Sequence, residues 1–214
     1  MKIWRAIAAL AVWTGVALQL GLMLDGKTGT AFAHALVKFF SFFTILSNII
    51  VGLALAAPVV AANSRLGVWA GRAGTRVAAG VYIVITAVVY HGLLASQWHP
   101  TGLQLLADTL LHTITPLLFL IDLLALPPRE AARWGLAWKA LVFPLAYGAW
   151  TLLHGFLSGW WPYPFFDAPK RGYGAVLVTM LVMGAGFYAV TLALTGLQHL
   201  QRRLTKTARA PISA

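Results

Sequence analysis

Apolar residues run through this chain in long blocks, at roughly 3–24, 36–60, 77–95, 103–126, 137–158 and 173–198. Each block approaches the ~20 residues that a helix needs to cross the hydrocarbon core of a bilayer. None shows the period-two alternation of a membrane β-strand, and in lipid only helices and closed barrels satisfy their own backbone hydrogen bonds. The pattern predicts an all-α integral membrane bundle of six transmembrane helices. Residues 1–200 form its single domain, and 201–214 form a basic, flexible tail. A signal-peptide reading of "MKIWR", the first apolar run and "AFA" at Ala31–Ala33 is disfavoured. The run is longer than the usual 7–15 residues of such a segment, so a retained first helix is expected.

Polar residues interrupt two of the blocks. "FFSFFTILSN" (Phe39–Asn48) carries Ser41, Thr44, Ser47 and Asn48, and "LADTLLHTITPLLFLIDLL" (Leu106–Leu124) carries two aspartates and a histidine. At 3.6 residues per turn Asp108, His112, Thr115 and Asp122 form one stripe, and Ser41, Thr44 and Asn48 share a face of the second helix. Such stripes should point into the bundle, because ionisable groups facing lipid are costly.

Composition agrees with a membrane protein: 60% of the residues are hydrophobic, 10% are charged, and the mean hydropathy is +0.79. The absence of cysteine excludes disulfides, thiolate chemistry and zinc–sulfur sites. No repeat relates the two halves, which argues against a transporter built from inverted repeats. The net charge of +11 is distributed by side. Lys2, Arg5, Arg65, Arg72, Arg76, Arg129, Arg133, Lys139, Arg202, Arg203, Lys206 and Arg209 flank one end of the predicted helices, and Lys27, Lys38, Lys170 and Arg171 flank the other. That split of twelve to four predicts cytoplasmic termini and a multi-pass protein of the cell membrane. The basic tail is expected on anionic lipid headgroups, not on nucleic acid. The sequence leaves the oligomeric state open.

This topology brings Thr44, His91, His112 and His154, from four helices, into the outer half of the bilayer. Threonine is a poor nucleophile unless a base lies within about 3 Å, and imidazole suits that task. Thr44 and His112 are the candidate pair, with Asp108 to orient the ring and Asn48 to donate to an oxyanion. Several plainer readings stand beside this one. Hydroxyls in membrane helices commonly bond the backbone or join helices. Asp108 and His112 can be a structural pair, and His91 and His154 interfacial residues with no chemistry. His34, His99 and His199 fall in loops or at helix ends. Asp122, about 21 Å along the helix from Asp108, is expected to pair with Arg129 or Arg133. A zinc site built from His91, His112, His154 and Asp108 is the metal alternative, although no spaced ligand motif supports it. Haem also lacks a motif, and no cofactor is expected.

Three patches resemble a known family in order. They are "FFTILSN" (Phe42–Asn48), "LHTITPLLFLIDLL" (Leu111–Leu124) and "GWWPYPFFD" (Gly159–Asp167). The chain resembles the androgen-induced and androgen-dependent membrane proteins that regulate tissue factor pathway inhibitor, together with their bacterial six-helix relatives, over about residues 36–190. The resemblance implies an intramembrane hydrolase of fatty acid esters of hydroxy fatty acids, with Thr44 as nucleophile and His112 as its partner. The substrate enters from the bilayer, and the Trp- and Tyr-rich "GWWPYPFF" loop lies at the interface as a roof over the site. A lipid carrier and a structural scaffold are the rival functions.

Overall fold

The structure, a computed structural model, describes residues 2–126 and 130–207. Among these residues it is built from helices alone: α1 (Lys2–Leu24), α2 (Gly29–Phe40), α3 (Phe43–Val60), α4 (Arg65–Gly71), α5 (Ala73–Val89), α6 (Gly102–Thr109), α7 (Thr115–Ala125), α8 (Leu136–Lys139), α9 (Val142–Ser158), α10 (Ala168–Arg171) and α11 (Tyr173–Thr207). A π turn at Tyr90–Leu94 and a 3-10 turn at Ala95–Gln97 extend α5, and a second π turn, Leu110–Ile114, joins α6 to α7. Six of the resulting segments are long and apolar enough to cross a membrane: Lys2–Leu24, Phe43–Val60, Ala73–Gln97, Gly102–Ala125, Leu136–Ser158 and Tyr173–Thr205. This is a multi-pass membrane protein. Large apolar side chains cover its outer faces, among them Ile3, Ile7 and Leu10 of α1 and Leu177, Leu181 and Val182 of α11. In water a patch of this size would drive association; in a bilayer it meets lipid.

Three clusters form the interior. Val12 of α1, Val51 and Leu55 of α3, Ile83 of α5 and Phe119 of α7 pack together at one side. An aromatic cluster of Phe43, Tyr82, Tyr147, Phe165, Phe166 and Phe187 fills the other. A third, smaller group joins Val16, Phe39, Ile45 and Leu111. Helix α5 is central, contacting α3, α7 and α11, whereas α9 makes few close backbone approaches. Large side chains bridge that gap: Tyr147 Oη donates to Ser41 O at 2.9 Å, and the Phe143 ring lies 5.1 Å from Phe43 and 4.8 Å from Tyr82.

The second apolar block is not one helix. Helix α2 stops at Phe40 and α3 starts at Phe43, so Ser41 leaves the stripe it was expected to share with Thr44 and Asn48. The break is held by side chains distant in sequence. Trp150 Nε1 donates to Ser41 Oγ at 3.0 Å, Ser41 Oγ donates to Val37 O at 2.7 Å, and Tyr147 occupies the Ser41 carbonyl.

At the opposite end of the bundle Asp122, fully buried, accepts from Arg5 Nε at 2.9 Å and from Arg76. These are not the expected partners. Arg76 lies in the first turn of α5, not in a connecting loop, and it is buried with Asp122. Its guanidinium also donates to Ala54 O and lies 5.3 Å from the Phe119 ring centre. A buried carboxylate must be paired where it stands, and α1 and α5 begin at the level where α7 ends. Arg129, Arg209 and the tail from Ala208 onward lie outside the described residues, and α11 runs without a break to Thr207.

Candidate active site

The break at Ser41–Phe42 sets where Thr44 stands. Phe42 is extended (φ −90°, ψ 126°), and Thr44 falls in the first turn of the 18-residue α3. N–H groups in a first turn have no acceptor within the helix, and the dipole places about half a positive charge there. Thr44 N–H donates to Tyr163 Oη at 3.3 Å, and Thr44 Oγ1 lies 3.4 Å from the same phenol oxygen. Its other neighbour is His112 Nε2, at 3.2 Å. The nucleophile candidate sits where negative charge is stabilised.

His112 lies in the π turn Leu110–Ile114. Pro116 has no N–H to return to the His112 carbonyl four residues earlier, which favours the wider turn. The His112 Nδ1 position is fixed by two acceptors, Asp108 O at 3.1 Å and Asp108 Oδ1 at 3.2 Å. With both acceptors facing Nδ1, the proton belongs on Nδ1, and Nε2 is left to accept from the Thr44 hydroxyl. Tyr90, from the other π turn, stacks on the imidazole with ring centres 3.8 Å apart and planes inclined by 11°. Its hydroxyl donates to Asp108 Oδ2 at 2.5 Å. Thr44, His112, Asp108 and Tyr90 thus form one continuous hydrogen-bonded line.

The connection between α9 and α10 closes over this line. Gly159 ends α9 with φ +70°, a left-handed conformation that glycine adopts without a Cβ penalty. Trp161 packs directly on Gly155, where a Cβ would come within 2.6 Å of the indole. Phe42 meets Trp160 edge-on at 5.5 Å and Tyr163 at 6.0 Å, and Tyr163 stacks on Phe165 at 5.1 Å. Burial pushes the Tyr163 phenol above its ordinary pKa, so it stays a neutral hydroxyl able to donate.

A cavity of about 410 Å³ opens beside the line, walled by Gln19, Thr44, Tyr90, Asp108, His112 and Tyr163 among others. The arrangement can transfer a proton from Thr44 to His112, hold the imidazolium against Asp108, and meet an oxyanion at the start of α3.

Other candidates lie elsewhere. Asn48 is fully buried, but its amide donates to Thr44 O at 2.8 Å and Leu111 O at 3.2 Å. The expected donation to an oxyanion is therefore replaced by a tie between the backbones of α3 and the π turn. His91 is exposed and bonds Thr113 Oγ1 at 3.2 Å, away from Thr44. His154 lies between Trp150 and Trp160, with ring centres at 5.5 and 5.6 Å. The ligand set of the zinc alternative is thus dispersed: among the described residues no three His, Asp or Glu side chains converge as metal ligands. Sequence reasoning missed Tyr163 and Tyr90. The "YPFF" segment was legible as a roof, but nothing local marks which of its aromatic residues turns inward.

No curated protein and no solved structure matches this chain. One family model, described as FAR-17a/AIG1-like protein, matches residues 80–199, more than half of the 214. The matched stretch contains Tyr90, Asp108, His112 and Tyr163, while Thr44 and its patch precede it. On that match, and with six apolar helices of the expected kind, this chain is a member of the FAR-17a/AIG1-like family.

Proposed function

We propose that this protein is an intramembrane lipid-ester hydrolase with Thr44 as nucleophile and His112 as general base and acid. The observation that carries the reading is the line from Thr44 Oγ1 through His112 Nε2 to Asp108, with gaps of 3.2 Å at each side-chain step, beside a cavity among apolar helices. Thr44 Oγ1 attacks the ester carbonyl as its proton passes to His112 Nε2. The tetrahedral oxyanion is met by the Tyr163 hydroxyl at the positive end of α3. Collapse breaks the bond to the alcohol oxygen, which takes the proton back from His112. Water then attacks the acyl-threonine, giving a proton to His112, which passes it to Thr44 Oγ1 as the second tetrahedral intermediate collapses to the carboxylic acid. The sum is ester plus water to acid plus alcohol.

Fatty acid esters of hydroxy fatty acids are the substrates that the family resemblance suggests. The side of action follows from the basic residues. Arg5 and Arg76 serve Asp122 internally, so ten of the twelve remain against four at the other end. That bias supports cytoplasmic termini and a site in the outer leaflet. The basic residues after Leu200 would sit on anionic headgroups.

An electrophilic phosphonate tests the nucleophile. Incubated with purified protein in detergent, it should attach to Thr44 in wild type and fail to attach in Thr44→Ala, which should also lose ester turnover. Undiminished labelling or turnover in Thr44→Ala removes Thr44 from the mechanism. Binding of the ester without any turnover by wild type makes the protein a carrier.

A further inference from the structure

Two cavities meet at Thr44. Beside the one that His112 and Asp108 line, a second of about 70 Å³ lies between α5, α9 and α11. They share Thr44, Tyr90, Leu94 and Tyr163 as a common wall. Past that wall the second cavity is apolar, enclosed by side chains such as Ile85, Leu145, Met180, Met183 and Phe187. Its remaining hydroxyls are already engaged: Thr86 bonds Tyr82 O and Ser47, and Tyr147 bonds Ser41 O. Among the described residues no charged, amide or imidazole side chain reaches it.

Resting on the hydrolase reading, we propose that the groove between α5, α9 and α11 receives the acyl chain of the ester, and the wider cavity its alcohol half. The assignment follows from where the proton must go. Once Thr44 Oγ1 bonds the carbonyl carbon, two substrate arms leave that carbon: the alcohol oxygen and the acyl chain. The alcohol oxygen must lie within hydrogen-bond reach of His112 Nε2 to leave as a neutral alcohol. His112 opens only to the wider cavity, so the alcohol arm lies there and the acyl arm turns to the other side of Thr44. After the alcohol departs, the water for deacylation enters on the same side, next to the base that activates it.

Polarity agrees with this division. Gln19, Gln97 and Gln104 line the alcohol side, and Gln104 Nε2 donates to Gln19 Oε1 at 2.7 Å. The alcohol half therefore carries a hydrogen-bonding group, and the acyl half is plain hydrocarbon. The acyl groove also has a way in from lipid, because Leu145 on its wall is 56% exposed on the outer face of α9. Its free volume is only about twice the ~30 Å³ that one water occupies in liquid. Met180 narrows it, crossing α9 at Gly148, where a Cβ would come within 2.5 Å of Met180 Cε. Methionine has three rotatable bonds and a soft thioether, and it is the wall element that yields to an incoming chain.

The test uses purified full-length protein in detergent and two ester series, with product acids measured by mass spectrometry. One series varies the acyl chain from acetyl to palmitoyl on glycerol; the other keeps acetyl and lengthens the alcohol. Gly148→Leu fills the groove and should lower the palmitoyl-to-acetyl ratio of kcat/KM by about 10²-fold, while Met180→Ala widens it and should raise that ratio about tenfold. Neither should change the ranking within the alcohol series. A size-exclusion profile matching wild type reports folding, and should Gly148→Leu misfold, Met180→Ala alone decides. Unchanged acyl ratios, or a change in the alcohol series instead, overturn the assignment while leaving the hydrolase reading intact. Wild-type protein that cleaves no ester of either series overturns the hydrolase reading, and this inference with it.

Discussion

Replacing Asp108 by asparagine removes a charge from the line while keeping its shape. The backbone carbonyl of Asp108, 3.1 Å from His112 Nδ1, is untouched by the change. The new amide can turn its oxygen to His112 Nδ1–H and its nitrogen to Tyr90 Oη, since a phenol accepts as readily as it donates. In serine hydrolases the equivalent change costs about 10⁴-fold in kcat because the base falls into the wrong tautomer. Here two acceptors remain at Nδ1, so that loss should not occur. What disappears is the attraction between Asp108 and the imidazolium formed during attack, 3.2 Å away. A hydrogen bond to a charged group contributes about 1.5–3 kcal/mol. Spent wholly on the transition state, that range corresponds to a fall in kcat of about 10- to 150-fold. The assay is hydrolysis of a lipid ester by purified Asp108→Asn and wild-type protein at matched pH. A fall of 10⁴ or more would show that the backbone carbonyl does not hold the tautomer. A fall of less than threefold would show that no cation develops beside Asp108.

Tyr163→Phe should lower kcat by about 10²-fold, the low end for an oxyanion donor because Thr44 N–H, which donates to Tyr163 Oη, is then freed toward the oxyanion, with little change in KM; unchanged kcat removes Tyr163 from the chemistry. Asp122→Ala leaves Arg76 buried without its carboxylate and should cost about 3–5 kcal/mol, read as a lowered thermal midpoint in detergent. The double change Arg76→Met with Asp122→Leu should recover most of that loss, and a wild-type midpoint in Asp122→Ala would refute the assignment of the pair. Because the chain has no native cysteine, Ser64→Cys and Lys170→Cys can be labelled singly. Both positions are exposed, and Ser64 should react only from the cytoplasm and Lys170 only from outside; the reverse pattern would move the site to the inner leaflet.

The six helices were legible in the sequence because hydrocarbon imposes a length and an apolarity that no soluble fold demands. Helical phase also made the Asp108–His112–Thr115–Asp122 face readable. All four lie at least partly inside the bundle, since a lipid-facing polar stripe is too costly to persist. The common depth of Thr44 and His112 came from chain direction alone, and the structure brings the two side chains to 3.2 Å. Depth, however, does not choose partners. Asp122 takes Arg5 and Arg76, 117 and 46 residues away in sequence, and among the described residues not the nearby Arg133. The helix break at Ser41 depends on Tyr147 and Trp150, more than a hundred residues on, and Asn48 is drawn off to Leu111 O. Tyr163 reaches Thr44 only because the loop after Gly159 folds back across the bundle. Buried polar groups in lipid must bond to something, so the chain encodes that they will be satisfied. Which group satisfies them depends on how the helices rotate and tilt as they pack, and only the tertiary structure decides that.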